Sequence, residues 1–139
     1  MTAIIEMLRK HEGVETHAYK CTANKTTIGV GRNIDPKGGI GLSSDEINYL
    51  LANDVKRVNT ELTGVFSWYK TLCTARKDAI MDMCFNMGLP RLMKFKKALA
   101  GMAIGDYDEA ATEFLDSRWA KQVGQRAITV TDIIRSGDY

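Results

Sequence analysis

Proline and cysteine are scarce in this chain of 139 residues, with two and three copies, no apolar run is long, and neither sign of charge prevails. Each scarcity excludes something. Cys21, Cys73 and Cys84 are odd in number and show neither C-x-x-C nor zinc-ligand spacing, which argues against a disulfide framework or a structural metal and for free thiols in a reducing compartment. The apolar N-terminal stretch Ala3-Ile4-Ile5 is broken by Glu6 and then by Arg9 and Lys10, too early for a secretory leader or a spanning helix. The chain is therefore expected to fold in the cytosol without membrane insertion. Nineteen basic residues against seventeen acidic ones leave +2, too little for the counterion release on which nucleic-acid binding relies. What remains, 45% hydrophobic and 26% charged, is the composition of one ordinary globular domain. A domain of this size buries roughly two-thirds of its unfolded surface and needs neither metal nor cofactor for stability.

Turn formers concentrate in residues 13–41, around the β-favouring run Thr26-Thr27-Ile28-Gly29-Val30-Gly31, whereas residues 43–139 read as successive amphipathic helices. The fold class expected is α+β, mainly α. Ahead of the strands, Ala3, Met7 and Leu8 form one apolar side of a short helix that stops at Gly13. Glu12 then sits at a helix C-terminus, where unpaired carbonyls carry partial negative charge and a carboxylate is electrostatically misplaced. Ser43 and Glu46 form an S-x-x-E capping box, and Ile47, Leu50, Leu51, Val55, Val58 and Leu62 predict one long helix running to Gly64. Thr74 caps the next, with Ala75, Ala79, Ile80, Met83, Cys84 and Met87 facing a core before Gly88 and Pro90 end it. Asp106 with Glu109 repeats the capping pattern ahead of Ala110, Ala111, Phe114 and Leu115, and Ala127, Val130 and Ile134 mark a last helix. The division expected is one domain in two lobes: residues 13–42 with the strands, 43–64 as a joining helix, and 65–139 with 1–12 as the helical lobe. A cleft between such lobes is where ligands preferentially bind.

Chemistry enters with Glu12-Gly13, Tyr19-Lys20-Cys21 and Thr26-Thr27-Ile28-Gly29-Val30-Gly31-Arg32. These segments resemble the signature of the small phage-type lysozymes, the endolysins, in which Glu, Asp and Thr are separated by eight and then five residues. Glu12, Cys21 and Thr27 have that spacing. The resemblance extends through Phe85-Asn86-Met87-Gly88, Asp108-Glu109-Ala110-Ala111, Ser117-Arg118-Trp119 and Gln125-Arg126-Ala127, in the family's order. It implies a lysozyme-like two-lobe fold and hydrolysis of the β-1,4 bond between N-acetylmuramic acid and N-acetylglucosamine in bacterial peptidoglycan. Glycoside hydrolysis needs a proton donor for a poor leaving group and a second group to deliver water or form a covalent adduct. Glu12 matches the donor, and Arg126 matches the arginine that pairs with it. Taken alone, each would be an ordinary solvated helix residue.

Cys21 stands where the family usually has aspartate. It is a weak base or water-positioning group, a nucleophile, or a bystander, and the supporting role is preferred because the proton donor carries most of the rate. Thr27 supplies a hydroxyl that both donates and accepts, as alignment of an attacking water requires. By the same resemblance, Arg32 replaces a histidine that pairs with an aspartate on the long helix, here Asp54, in a structural role that arginine would make insensitive to pH. Phe85, Asn86 and Asn33 fall at substrate-binding positions, Asn33 among those, with Ala98 and Glu113, where the residue differs from the family's. Trp119 packs behind them. The stretch from Arg32 to Ser43 is short and holds Pro36, Gly38, Gly39 and Gly41, a trimmed rim.

The function expected is that of a monomeric endolysin, held in the host cytoplasm and released to the cell wall by a separate holin. The alternative is a catalytically impaired lysozyme-like protein that binds peptidoglycan without cutting it. A lytic transglycosylase, which needs only Glu12, is a third possibility.

Overall fold

The computed structural model describes residues 2–139. In chain order it contains α1 (Ala3–Glu12), β1 (Glu15–Lys20), β2 (Thr26–Gly29), β3 (Arg32–Asn33), α2 (Ser44–Val65), a 3-10 turn (Tyr69–Thr71), α3 (Thr74–Met87), α4 (Leu89–Leu92), α5 (Lys96–Ile104), α6 (Tyr107–Leu115), α7 (Arg118–Val123) and α8 (Gln125–Ser136). The class is α+β, mainly α, with a lysozyme-like set of elements. None of the described helices is long and apolar enough to cross a membrane. Two compact units are present, one reaching Leu50 and one spanning Leu51–Tyr139, and α2 carries the chain from the first into the second. The opening helix counts with the sheet in this division, where the sequence reading grouped residues 1–12 with the helices.

The first unit is built on a three-stranded antiparallel meander in the order β1-β2-β3. Tyr19 and Lys20 pair with Thr27 and Thr26, and a register irregularity separates them from the Glu15–Gly29 pair. The β1–β2 connection closes through the Cys21 amide on the Lys25 carbonyl at 3.0 Å and the Asn24 amide on the Cys21 carbonyl at 2.8 Å. Asn24 adopts φ 59°, a left-handed conformation that asparagine tolerates better than most side chains.

Beyond β3, Asp35 gathers the chain. Its carboxyl accepts from the amides of Thr26 at 3.1 Å and Lys37 at 3.0 Å, and these donors hold it below the usual carboxylate range. The glycine-rich rim is thereby tied to β2. Gly39 is there for close approach, since a Cβ on it would come within 2.5 Å of the Asp35 backbone nitrogen and oxygen.

The Ser43 capping box forms as its sequence predicts. The Ser43 amide donates to Glu46 Oε1 at 2.9 Å, and the Glu46 amide donates to Ser43 Oγ at 3.2 Å. Of the apolar series along α2, however, only Val58 and Leu62 are buried, both in the second unit. Ile47, Leu50, Leu51 and Val55 stay half-exposed, and so do Met7 and Leu8 of α1. Periodicity marks an apolar face but not whether anything covers it. Thr27 is the one buried side chain among the described residues of the first unit. Hydrogen bonds and ion pairs, more than hydrophobic burial, order this part of the chain.

The second unit has a true core. Ala75, Ala79, Ile80, Met83, Cys84 and Met87 of α3 are all buried, as their spacing predicts, with Leu62, Leu92, Met102, Phe114, Trp119 and Ile134 from the surrounding helices. Cys73 rather than Thr74 is the N-cap of α3 and makes no side-chain capping bond. Asp106 caps α6 by accepting the Glu109 amide at 3.2 Å. Gly101 lets α5 lie against the start of α6, where a Cβ would stand 3.0 Å from the Asp106 carbonyl. The helices α4, α5 and α7 had no counterpart in the sequence reading.

Two outcomes test this account. Ile80→Ala, which empties space in a closed core, should cost about 2–5 kcal/mol in urea denaturation. Glu46 is held down to about 2 by the Ser43 amide and then by the Arg32 guanidinium. Its folded value lies below its ordinary one, so its contribution is complete above the unfolded value and fades as pH falls toward about 2. Melting temperatures of Glu46→Gln and the unaltered chain should converge in that acid range and differ at neutral pH.

Candidate active site

Glu12 is the last residue of α1, and Gly13, at φ 78°, turns the chain away by donating its amide to the Arg9 carbonyl at 3.0 Å. The Glu12 side chain is exposed and lies over the β2–β3 turn. A Cβ built on Gly31 would stand 2.7 Å from Glu12 Oε2, 3.0 Å from its Cδ and 3.2 Å from its Cγ. The helix end, the turn and the carboxyl thus form one contact within the first unit.

At the other end of β2 lies Cys21, partly exposed at the start of the β1–β2 turn. Backbone amides of Lys25 and then Ala23 hold its thiol below the ordinary value, opposed by desolvation and helped to a smaller extent by the Thr27 hydroxyl. Thr27 is buried in mid-sheet, paired with Tyr19 on one side and Asn33 on the other. Its hydroxyl donates to the Lys25 carbonyl at 2.8 Å. With its one proton committed there, the oxygen is best disposed to accept, and the sulfur takes its main support from the amides. Strand β2 therefore carries Thr27 between the turn that holds the sulfur and the turn that holds the carboxyl.

Asn33 is engaged locally. Its Oδ1 accepts the Asp35 amide at 2.9 Å, and its carbonyl accepts those of Ile40 at 2.9 Å and Gly41 at 3.3 Å. Arg32 does tie β3 to α2, but through Glu46 and not Asp54. Its Nη1 donates to Glu46 Oε1 at 2.6 Å and to the Gly41 carbonyl at 3.1 Å. Asp54 instead receives Arg57, one turn along the same helix, at 3.2 Å. The reason is local: the capping box presents Glu46 rigidly beside Arg32, whereas Asp54 lies about two turns farther along and already has a cation one turn away.

In the second unit, Phe85 and Asn86 occupy the exposed end of α3. The buried Trp119 ring donates through Nε1 to Asn86 Oδ1 at 2.8 Å, fixing the exposed amide by its oxygen. Phe85 lines a groove of about 340 Å³ with Leu51, Val55, Val58 and Met81, and Asp78, Asp82 and Arg126 add polar groups to it. Arg126 donates through Nε to Asp82 Oδ1 at 2.9 Å and through Nη2 to the Asp82 carbonyl at 3.4 Å. The sequence reading missed Asp82. Asp78 and Asp82, four apart on α3 among its buried apolar positions, were the signal that one face of the helix is open.

Residues 9–132 match the family described as phage lysozyme, a span that includes every residue of the candidate site. Two proteins of Dictyostelium discoideum, named probable T4-type lysozymes 1 and 2, are 28% and 26% identical, with 99% of this chain and 96% of each relative covered. An endolysin of Acyrthosiphon pisum secondary endosymbiont phage 1 is 27% identical over 86% of this chain and 80% of its own length.

The Cys21 microenvironment makes a prediction that needs no substrate. In a Cys73→Ser, Cys84→Ala background, the alkylation rate plotted against pH should rise at lower pH than for an ordinary cysteine. Thr27→Val should move the curve upward only slightly, because the backbone amides remain.

Proposed function

The chain belongs to the phage lysozyme family and is a lysozyme-like peptidoglycan hydrolase, and we propose that it cuts the β-1,4 bond between N-acetylmuramic acid and N-acetylglucosamine with Glu12 as general acid. The observation that carries this reading is the seating of the Glu12 carboxyl on the turn next to Thr27, on the sheet whose opposite turn bears Cys21. As the glycosidic bond breaks, Glu12 passes its proton to the leaving oxygen. Cys21, whose ionisation two amides favour, takes a proton from the attacking water as the thiolate or aligns that water as the thiol, and the Thr27 oxygen accepts a hydrogen bond from the water's other hydrogen. Phe85 offers an apolar ring face to a saccharide and Asn86 an amide donor. Asp82 supports this function by fixing Arg126, and Trp119 by fixing Asn86.

In this reading the protein acts as a monomeric endolysin, kept in the host cytoplasm until a holin admits it to the cell wall. Clearing of outer-membrane-permeabilised Gram-negative cells is the direct test, and binding of peptidoglycan without clearing would replace hydrolysis by the alternative of an impaired binding protein. Mass spectrometry of the fragments should give ordinary reducing ends, since anhydromuramic ends would indicate a transglycosylase.

Glu12→Gln should lower the rate by about a thousandfold, the scale of a lost general acid. Cys21→Asp should retain or raise activity. If the thiol ionises during turnover, the rate climbs with pH through its ionisation, and Cys21→Asp should shift that rising limb to lower pH because a carboxyl ionises sooner.

A further inference from the structure

Two glycines flank Val30, Gly29 as the last residue of β2 and Gly31 in the β2–β3 turn, and they share a positive φ but have opposite surroundings. Gly29 adopts φ +69° and Gly31 φ +68°, a left-handed conformation that L side chains rarely take. Nothing lies within 4 Å of a Cβ built on Gly29, while one built on Gly31 meets three atoms of the Glu12 side chain at once. Backbone conformation alone accounts for glycine at position 29. At position 31 the missing side chain is also the space in which the Glu12 carboxyl rests.

We propose that Gly31 is a positioning residue for the proton donor, its bare Cα serving as the seat that limits where the Glu12 carboxyl can sit. This rests on the reading of Glu12 as general acid. Among the described residues of the first unit no group hydrogen-bonds that carboxyl, and contact with Gly31 is a restraint this unit places on an exposed, flexible side chain. A methyl group on Gly31 would displace the far end of Glu12, which yields easily by rotating about its own bonds. The displacement therefore costs little stability, whereas an acid moved by about an ångström from its productive position loses rate on the order of a hundredfold.

These two glycines supply their own control. Gly29→Ala and Gly31→Ala each place an L residue at a positive φ, so both should lower the melting temperature. Activity should separate them: Gly29→Ala stays within about threefold of the unaltered chain, while Gly31→Ala loses kcat by about a hundredfold with KM little changed. The limb of the pH–rate profile that reports the acid should move in Gly31→Ala alone. Should either alanine variant yield too little folded protein, Gly29→Asn and Gly31→Asn make the same comparison, since asparagine tolerates this conformation. Equal loss of activity at both positions, with Glu12→Gln inactive, would overturn the seat while leaving the acid in place. An active Glu12→Gln would remove the acid assignment and the seat with it.

Discussion

One carboxylate oxygen joins the sheet to the long helix. Glu46 Oε1 receives the Ser43 amide at 2.9 Å and the Arg32 guanidinium at 2.6 Å, and the same guanidinium holds the Gly41 carbonyl. The helix start, the rim segment and β3 converge there. Arg32 directly follows Gly31, so the turn under the Glu12 carboxyl is anchored one residue away from the point where it matters. The remaining polar order in the first unit extends from this clamp: Asp35 ties the rim to β2, and Lys25 receives the backbone of Cys21 and the hydroxyl of Thr27 on one carbonyl.

That clamp was half legible in the sequence. Ser43 and Glu46 declare a capping box by spacing alone, because both of its bonds are made within one helical turn. The third partner comes from elsewhere in the chain, and likeness to a family pattern pointed Arg32 to Asp54. The structure gives Asp54 to Arg57 and Arg32 to the nearer, already oriented acid. The buried positions of α3 were readable because a helix enclosed by others must be apolar at most of its core-facing steps. The same reasoning over-extended along α2 and α1, whose apolar residues are spaced correctly but half-exposed. Short helices such as α4 and α7 hold too few turns for periodicity to show, and their ends are set by tertiary packing.

Glu12, Cys21 and Thr27 were found through motif spacing, but their individual circumstances were not. A thiol in place of a carboxylate suggests a weak, largely protonated group. The turn amides of Lys25 and Ala23 push it toward the thiolate, so the backbone of the β1–β2 turn recovers part of the charge lost with the aspartate. Thr27 differs from expectation in another way, since its proton is committed to a carbonyl and its remaining capacity is to accept. The importance of Gly31 could not be read from sequence at all. It depends on a contact between residues that belong to different elements and that only the folded chain brings together.

A sheet unit with a single buried side chain among its described residues, and that one a threonine, has a thermodynamic character unlike the helical remainder. Unfolding it would hydrate little apolar area, so its opening carries a small heat-capacity increment and a shallow response to urea. Its integrity varies instead with ionic strength and proton activity, the variables that weaken guanidinium–carboxylate and amide–carboxylate bonds. Ambient electrolyte thus becomes a control on the smaller unit, which bears Glu12 and Cys21, while the α3-centred core responds chiefly to temperature and denaturant.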